Sequence, residues 1–225
     1  RVRTRGCVWS ERPDRLDVRN PQRGCLTSLE TERRIKTFVL AVRSMDKRHH
    51  RMVWIDLEMT GLDVHRESII EIATVVTDAD LNVLATGPNL AVSVSEELIS
   101  GMDEWNTRHH HRSGLVDRIR NEGVSASEAE QATLAFLREW VDENTAPLCG
   151  NSVWNDRQFM AKEMPELLDY LHYRMVDVST VKELARRWYN LPRFSKKGAH
   201  LALDDILESI EELKHFREHV FVAQD

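Results

Sequence analysis

The strongest constraint in the 225-residue chain is the stretch from Met52 to Asp63, Met-Val-Trp-Ile-Asp-Leu-Glu-Met-Thr-Gly-Leu-Asp. Residues 52–57 are apolar and partly β-branched, broken only by Asp56. That pattern predicts a buried strand of an α/β protein. A bare carboxylate in such a strand is very costly, yet Glu58 follows Asp56 two residues on. Strand side chains alternate, so both carboxylates leave the strand end on the same side. Two hard oxygen ligands placed together suit Mg²⁺ or Mn²⁺. A strand running into a solvated acidic turn is the other reading of this pair alone. Thr60-Gly61-Leu62 then supplies a turn where a ligand would need close backbone approach.

The order after this strand predicts a mixed sheet covered by helices. Residues 68–77 (SIIEIATVVT) are strongly β-forming, and 82–85 and 90–94 read as two short strands separated by the breaker Gly87-Pro88-Asn89. Ser125 and Glu128 have capping-box spacing and open a helix to about residue 142, with Ala129, Ala132, Leu134, Phe136, Leu137 and Val141 as its apolar face. Residues 146–150 read as a strand, 156–163 as a helix stopped near Pro165, and 173–178 as another strand. Residues 179–189 read as a helix capped by Ser179 or Asp177, and 201–219 as the last helix.

Charge is unevenly spread. Residues 1–51 hold 14 Lys/Arg against 6 Asp/Glu, a net of +8, and the remainder holds 17 against 31, a net of −14. Residues 1–45 are read as a basic, disordered extension, with at most one short helix at 29–42, and 46–225 as the working domain; Met45 is read as the true start, since the organised pattern begins soon after it. The extension is Arg-rich, as targeting segments are, but its acids argue against that role. No apolar run approaches a membrane span. Three scattered cysteines make neither a disulfide framework nor a zinc site. A cytoplasmic, reducing compartment is expected, or a mitochondrial one if the arm targets the chain.

Further acids and a histidine stand at element ends. Asp156 follows the turn Gly150-Asn151-Ser152, and His200 and Asp205 open the last helix after Lys196-Lys197-Gly198, read as a mobile loop. Each has a plain alternative. Asp156 could cap its helix, His200 could be a capping or exposed residue, and Asp205 could complement a helix dipole. His109-His110-His111 invites a metal reading, but consecutive helical residues do not share a face, so a solvated surface is expected.

Together these segments resemble the DEDDh family of 3′–5′ exonucleases in the ribonuclease H-like superfamily, and within it the oligoribonucleases. The resemblance rests on Trp54-Ile-Asp56-Leu-Glu58-Met-Thr-Gly-Leu62, Met102-Asp-Glu-Trp105, Gly150-Asn-Ser152-Val-Trp-Asn-Asp156, and His172-Tyr173-Arg174. It extends through Asp177-Val-Ser179-Thr180 with the following Ala185-Arg-Arg-Trp188, and His200-Leu-Ala-Leu-Asp-Asp205-Ile. It covers roughly residues 50–221. It implies a mixed five-stranded sheet flanked by helices and a metal-dependent exoribonuclease that degrades very short RNA, dinucleotides especially, to mononucleotides. Asp56, Glu58, Asp156 and Asp205 would hold two divalent cations, Mg²⁺ or Mn²⁺, and His200 would be the general base; the family's spacing from His200 selects Asp205 over Asp204. Leu62 and Trp105 would contact the bases, and Ser152, Tyr173, Arg174, Ser179 and Thr180 would receive the 5′ end. The family is homodimeric, and Tyr173 and Arg174 resemble residues that cross to the partner's site. Without the resemblance, Trp105 and Tyr173 would be read as core. A proofreading-type DNA exonuclease and an inactive binding module of the same fold are the competing readings. The 173–174 and 179–180 motifs speak against the first, the intact acids against the second.

Overall fold

The computed structural model describes residues 48–192, 194 and 201–221. The basic extension, the helix expected at 29–42, the loop at 196–198 and His200 therefore fall outside the described residues.

Five strands form one mixed sheet: β1 (Met52–Met59), β2 (Ile69–Thr77), β3 (Val83–Ala91), β4 (Pro147–Gly150) and β5 (His172–Asp177), in the order β3-β2-β1-β4-β5. The first three pair antiparallel, whereas β4 runs parallel to both β1 and β5. Three short helices, α1 (Glu96–Gly101), α2 (Glu104–Arg112) and α3 (Leu115–Glu122), lead to α4 (Ala126–Trp140). The chain continues through α5 (Trp154–Glu163) and α6 (Pro165–Tyr170) to β5, then α7 (Val178–Tyr189) and α8 (Ala202–Val220). Among the described residues no helix is long and apolar enough to cross a membrane.

Alternation along β1 divides the core. Val53, Ile55 and Leu57 join Leu134, Leu137, Phe159, Met160 and Leu167 on the side of α4 to α6. Trp54 instead packs with Ala73 and Val75 and with Ala185, Ile206 and Ile210 of α7 and α8. Its indole Nε1 donates to Thr77 Oγ1 at 3.0 Å, which satisfies its polar end. All nine residues of β2 are buried. That is why apolar residues occupy both faces of it rather than alternating with polar ones, with Glu71, Thr74 and Thr77 as the polar exceptions.

Two expectations are corrected. Gly87-Pro88-Asn89 does not split the third strand: β3 is continuous. Ala73 pairs with Asn89 and Val75 with Thr86, so Gly87 and Pro88 together oppose Thr74 as a bulge. β3 is an edge strand, where a missing N–H is tolerated. A Cβ on Gly87 would lie 2.6 Å from the Phe136 ring, so the glycine lets α4 sit close against the edge. On α4 the capping box of Ser125 and Glu128 is present, but Thr133 is buried and Ala132 exposed. Burial there follows the helical face, not the apolarity of single residues.

Candidate active site

The site lies where β4 stops short of β1. β4 ends at Gly150, whose Cα side meets the Ile55 carbonyl. Past that point β1 has lost its parallel neighbour, and the Leu57 N–H donates to Asp156 Oδ1 at 3.1 Å. Crevices beyond the carboxyl ends of parallel strands are where α/β sheets bind ligands.

Asp56 and Glu58 have the same parity as Trp54 and so face α8. There Asp205, in the first turn of the helix, meets them: one oxygen from each of the three carboxylates lies within 4.8 Å of the others. Asp205 rather than Asp204 makes this approach, as the spacing implied. Asp156 is not an N-cap. It sits inside the first turn of α5, only 6% exposed, tied to β1 through Leu57.

The electrostatics of this corner are severe. Burial, then Asp156, Glu58, Asp205 and Glu71, push the Asp56 carboxyl well above the usual carboxylate range. Burial, then Glu71, Asp205 and Asp156, push Glu58 up to about 8. Burial also raises Asp156, partly offset by the Leu57 N–H. Among the described residues, the charges acting on Asp56 and Glu58 are thus all carboxylates, crowded where water is scarce. Converging hard oxygens with unfavourable mutual charge fit divalent cations, which would reverse that balance.

The turn after β1 is built to hold Leu62 out. Thr60 is buried, and its hydroxyl donates to Glu67 Oε2 and accepts the Ser68 N–H at 3.1 Å. Leu62 is 77% exposed. Trp105, on α2, is 64% exposed and stacks on His109 with ring centroids 4.7 Å apart. Tyr173 is 69% exposed on β5, with the Arg174 guanidinium 5.4 Å from its ring centroid. Neither Trp105 nor Tyr173 is core. On the far side of Asp156, Ser152 has a left-handed φ of 54°, and its N–H donates to Asp177 Oδ1 at 2.9 Å. Asp177, the N-cap of α7, also accepts the Ser179 N–H at 3.0 Å and the Thr180 hydroxyl at 3.1 Å. The Ser152 and Ser179 hydroxyl oxygens are 3.1 Å apart.

Sequence reasoning missed two residues here. Glu71 lies directly across from Glu58 in the β1–β2 register, fully buried and bonded to Arg118 of α3. Its signal was available: an acid in the middle of a mostly apolar strand needs a partner. His110 is the other. It is buried rather than solvated, its Nε2–H donates to the Met59 carbonyl at 3.2 Å, and burial lowers its pKa to about 4. Helical periodicity alone could not say that α2 packs this residue against the β1 end.

An exonuclease family model, RNase_T, matches residues 53–213. The oligoribonuclease of Pseudomonas aeruginosa is 58% identical over 170 residues, covering 75% of this chain and 94% of that protein. The oligoribonuclease of Escherichia coli K12 is 55% identical over 177 residues, covering 78% and 98%. Among solved structures, Mg²⁺- and Mn²⁺-bound S. pombe Pop2p is similar at 12% identity with a TM-score of 0.56, covering 84% of this chain and 91% of that one. Zinc-bound E. coli exonuclease I with single-stranded DNA gives 12% identity and a TM-score of 0.59, this chain covering 41% of its length. These last two likenesses show the shared fold.

Proposed function

The chain belongs to the oligoribonuclease family of exonucleases, and from that membership we propose how its residues divide the work. It is a 3′–5′ exoribonuclease of short RNA. Asp56, Glu58, Asp156 and Asp205 hold two divalent cations, Mg²⁺ or Mn²⁺. The observation that carries this reading is the meeting of Asp56, Glu58 and Asp205 at the open end of β1. Bound there, such cations would supply positive charge toward a phosphodiester and would lower the pKa of a water they hold. His200 takes a proton from the attacking water, as a neutral imidazole is suited to do near neutral pH. Leu62 and Trp105 offer exposed apolar surface on which bases of any sequence can stack.

Ser152, Ser179 and Thr180 receive the 5′ end of the substrate. The active form is a homodimer, in which Tyr173 and Arg174 of each copy close the other's site. Their exposure on the edge strand β5 supports this, and a guanidinium can grip a terminal phosphate bidentately. Dinucleotides are the preferred substrate. The net −14 of residues 52–225 argues against a basic track for a long strand. Residues 1–45 are an appendage to the exonuclease domain at 46–225, consistent with relatives matched over nearly their whole length by about three-quarters of this chain.

Labelled, 5′-phosphorylated RNA dinucleotide and ten-mer, incubated with Mn²⁺ or Mg²⁺ and with or without chelator, test the reading. Rapid, chelator-sensitive release of mononucleotide from the dinucleotide is expected. Mixing Arg174→Ala with Asp56→Ala subunits should restore one working site per heterodimer. Equal rates on both lengths, or no rescue in verified heterodimers, would count against a closed site shared between subunits.

A further inference from the structure

Behind the Ser152–Ser179 pair lies a polar cluster that no part of the reaction just described uses. Glu212 of α8 is 2% exposed. Lys182 Nζ approaches its Oε1 at 3.0 Å and its Oε2 at 3.2 Å. Lys182 also donates to Asn151 Oδ1 at 3.2 Å, and Asn151 Nδ2 donates to Glu212 Oε2 at 3.2 Å and to Ser209 Oγ at 2.7 Å. The amide orientation follows from the partners. An ammonium can only donate and a carboxylate can only accept, so the Asn151 oxygen faces Lys182 and its nitrogen faces Glu212.

Both ends of this cluster reach functional ground. The Ser179 hydroxyl donates to Asn151 Oδ1 at 3.0 Å, which sets the rotamer of the side chain beside Ser152. Ser209 donates to the Asp205 carbonyl at 2.7 Å. Asn151 immediately precedes Ser152 and its left-handed backbone. Three separate elements, the β4–α5 turn, α7 and α8, are thus tied at one buried carboxylate.

We propose that Asn151, Lys182 and Glu212 are positioning residues that hold the Ser152–Ser179 hydroxyl pair at the spacing a terminal phosphate requires, and tie it to the helix carrying Asp205. This rests on the reading that Ser152 and Ser179 receive the 5′ end. With its proton on Asn151 Oδ1, Ser179 offers an acceptor that orients the Ser152 hydroxyl, and Ser152 is the donor left for phosphate. A donor fixed beforehand binds better, because ordering it on binding costs affinity. Lys182 stands one turn along α7 from Ser179 and reaches Asn151 and Glu212. Its charge is spent on Glu212, so its part is to anchor rather than to contact the substrate.

The test compares steady-state kinetics on one RNA dinucleotide with and without a 5′-phosphate. Lys182→Met with Glu212→Leu removes both charges of this pair together, rather than leaving one without the other. The expected result is a KM for the phosphorylated dinucleotide raised about tenfold, as for a lost hydrogen bond to a charged group. KM for the unphosphorylated one should be nearly unchanged, and kcat on both within about threefold. Lys182→Arg should retain most of the phosphate preference. Ser179→Ala is the control for the underlying reading and should show the same selective loss. If Ser179→Ala is selective and the pair replacement weakens both substrates equally, the positioning role is overturned while the pocket stands. If Ser179→Ala shows no selectivity, the pocket itself is wrong and this inference falls with it. Should the pair replacement fail to fold, Lys182→Gln, which keeps a donor towards Asn151, takes its place under the same criterion.

Discussion

Two corners of this molecule bury carboxylates and treat them in opposite ways. At the end of β1, the charges among the described residues that shift Asp56 and Glu58 are all acids, and both are pushed upward. On α8, Glu212 is buried more deeply, yet it is met by Lys182 and by the Asn151 amide. Glu71 follows the second pattern, with Arg118 beside it. A buried acid supplied with a cation from its own chain is architecture. A group of converging acids fits completion by something outside the chain.

The largest test of this contrast is at Asp56. Asp56→Ala should lower turnover by several orders of magnitude, because one of the converging carboxylates is gone, while the metal-free protein stays as stable or gains stability. Near-normal activity in the purified, folded variant would remove the reason for treating this corner as the reaction centre. His200→Ala comes next, expected to lower kcat by about 10²–10⁴-fold with substrate affinity roughly intact. A fall in affinity with kcat preserved would make His200 a binding residue.

At the other corner the sign reverses. Lys182→Ala removes an ammonium from the buried Glu212 carboxylate and should cost about 2–3 kcal/mol in urea unfolding, less than a fully buried pair because Lys182 is itself 36% exposed. A stability loss from Asp56→Ala that matches that from Lys182→Ala would erase the distinction between the two corners.

A subtler effect is the dependence on pH. The folded protein holds the Glu58 proton up to about 8, above the ordinary 4.5, so the associated stability is complete below about pH 4.5 and is lost as pH rises through about 8. Without divalent cations the melting temperature should therefore fall across that window. The gain on adding Mn²⁺ should grow with pH, since protons and cations compete for the same oxygens. A Mn²⁺ shift independent of pH between 5.5 and 8.5 would contradict this. The smallest effect belongs to the N-terminal arm: deleting residues 1–45 should leave dinucleotide cleavage and melting temperature almost unchanged, as read by the same two assays.

What could be read from residues alone was whatever local period determines. Asp56 and Glu58 share a face because strands alternate, and the capping box at Ser125 announces α4. The choice of Asp205 over Asp204 came from motif spacing. What could not be read depended on register and packing. Nothing local says that Glu71 stands opposite Glu58, since one residue of slippage would turn it to the other face. Nothing in three consecutive histidines says which one a neighbouring strand will cover. Gly87-Pro88 was mistaken for a break because the same dipeptide ends a central strand and merely buckles an edge one.

That buckle has a consequence for the protein in a crowded solution. An exposed strand edge is a template on which a second chain can hydrogen-bond, and long regular edges invite fibrillar growth. Here the edge offers no N–H at Pro88, and the bulge throws the groups on either side of it out of step. A strand laid along one half of β3 would be misaligned with the other half. Two residues thus close that side of the sheet to self-templating.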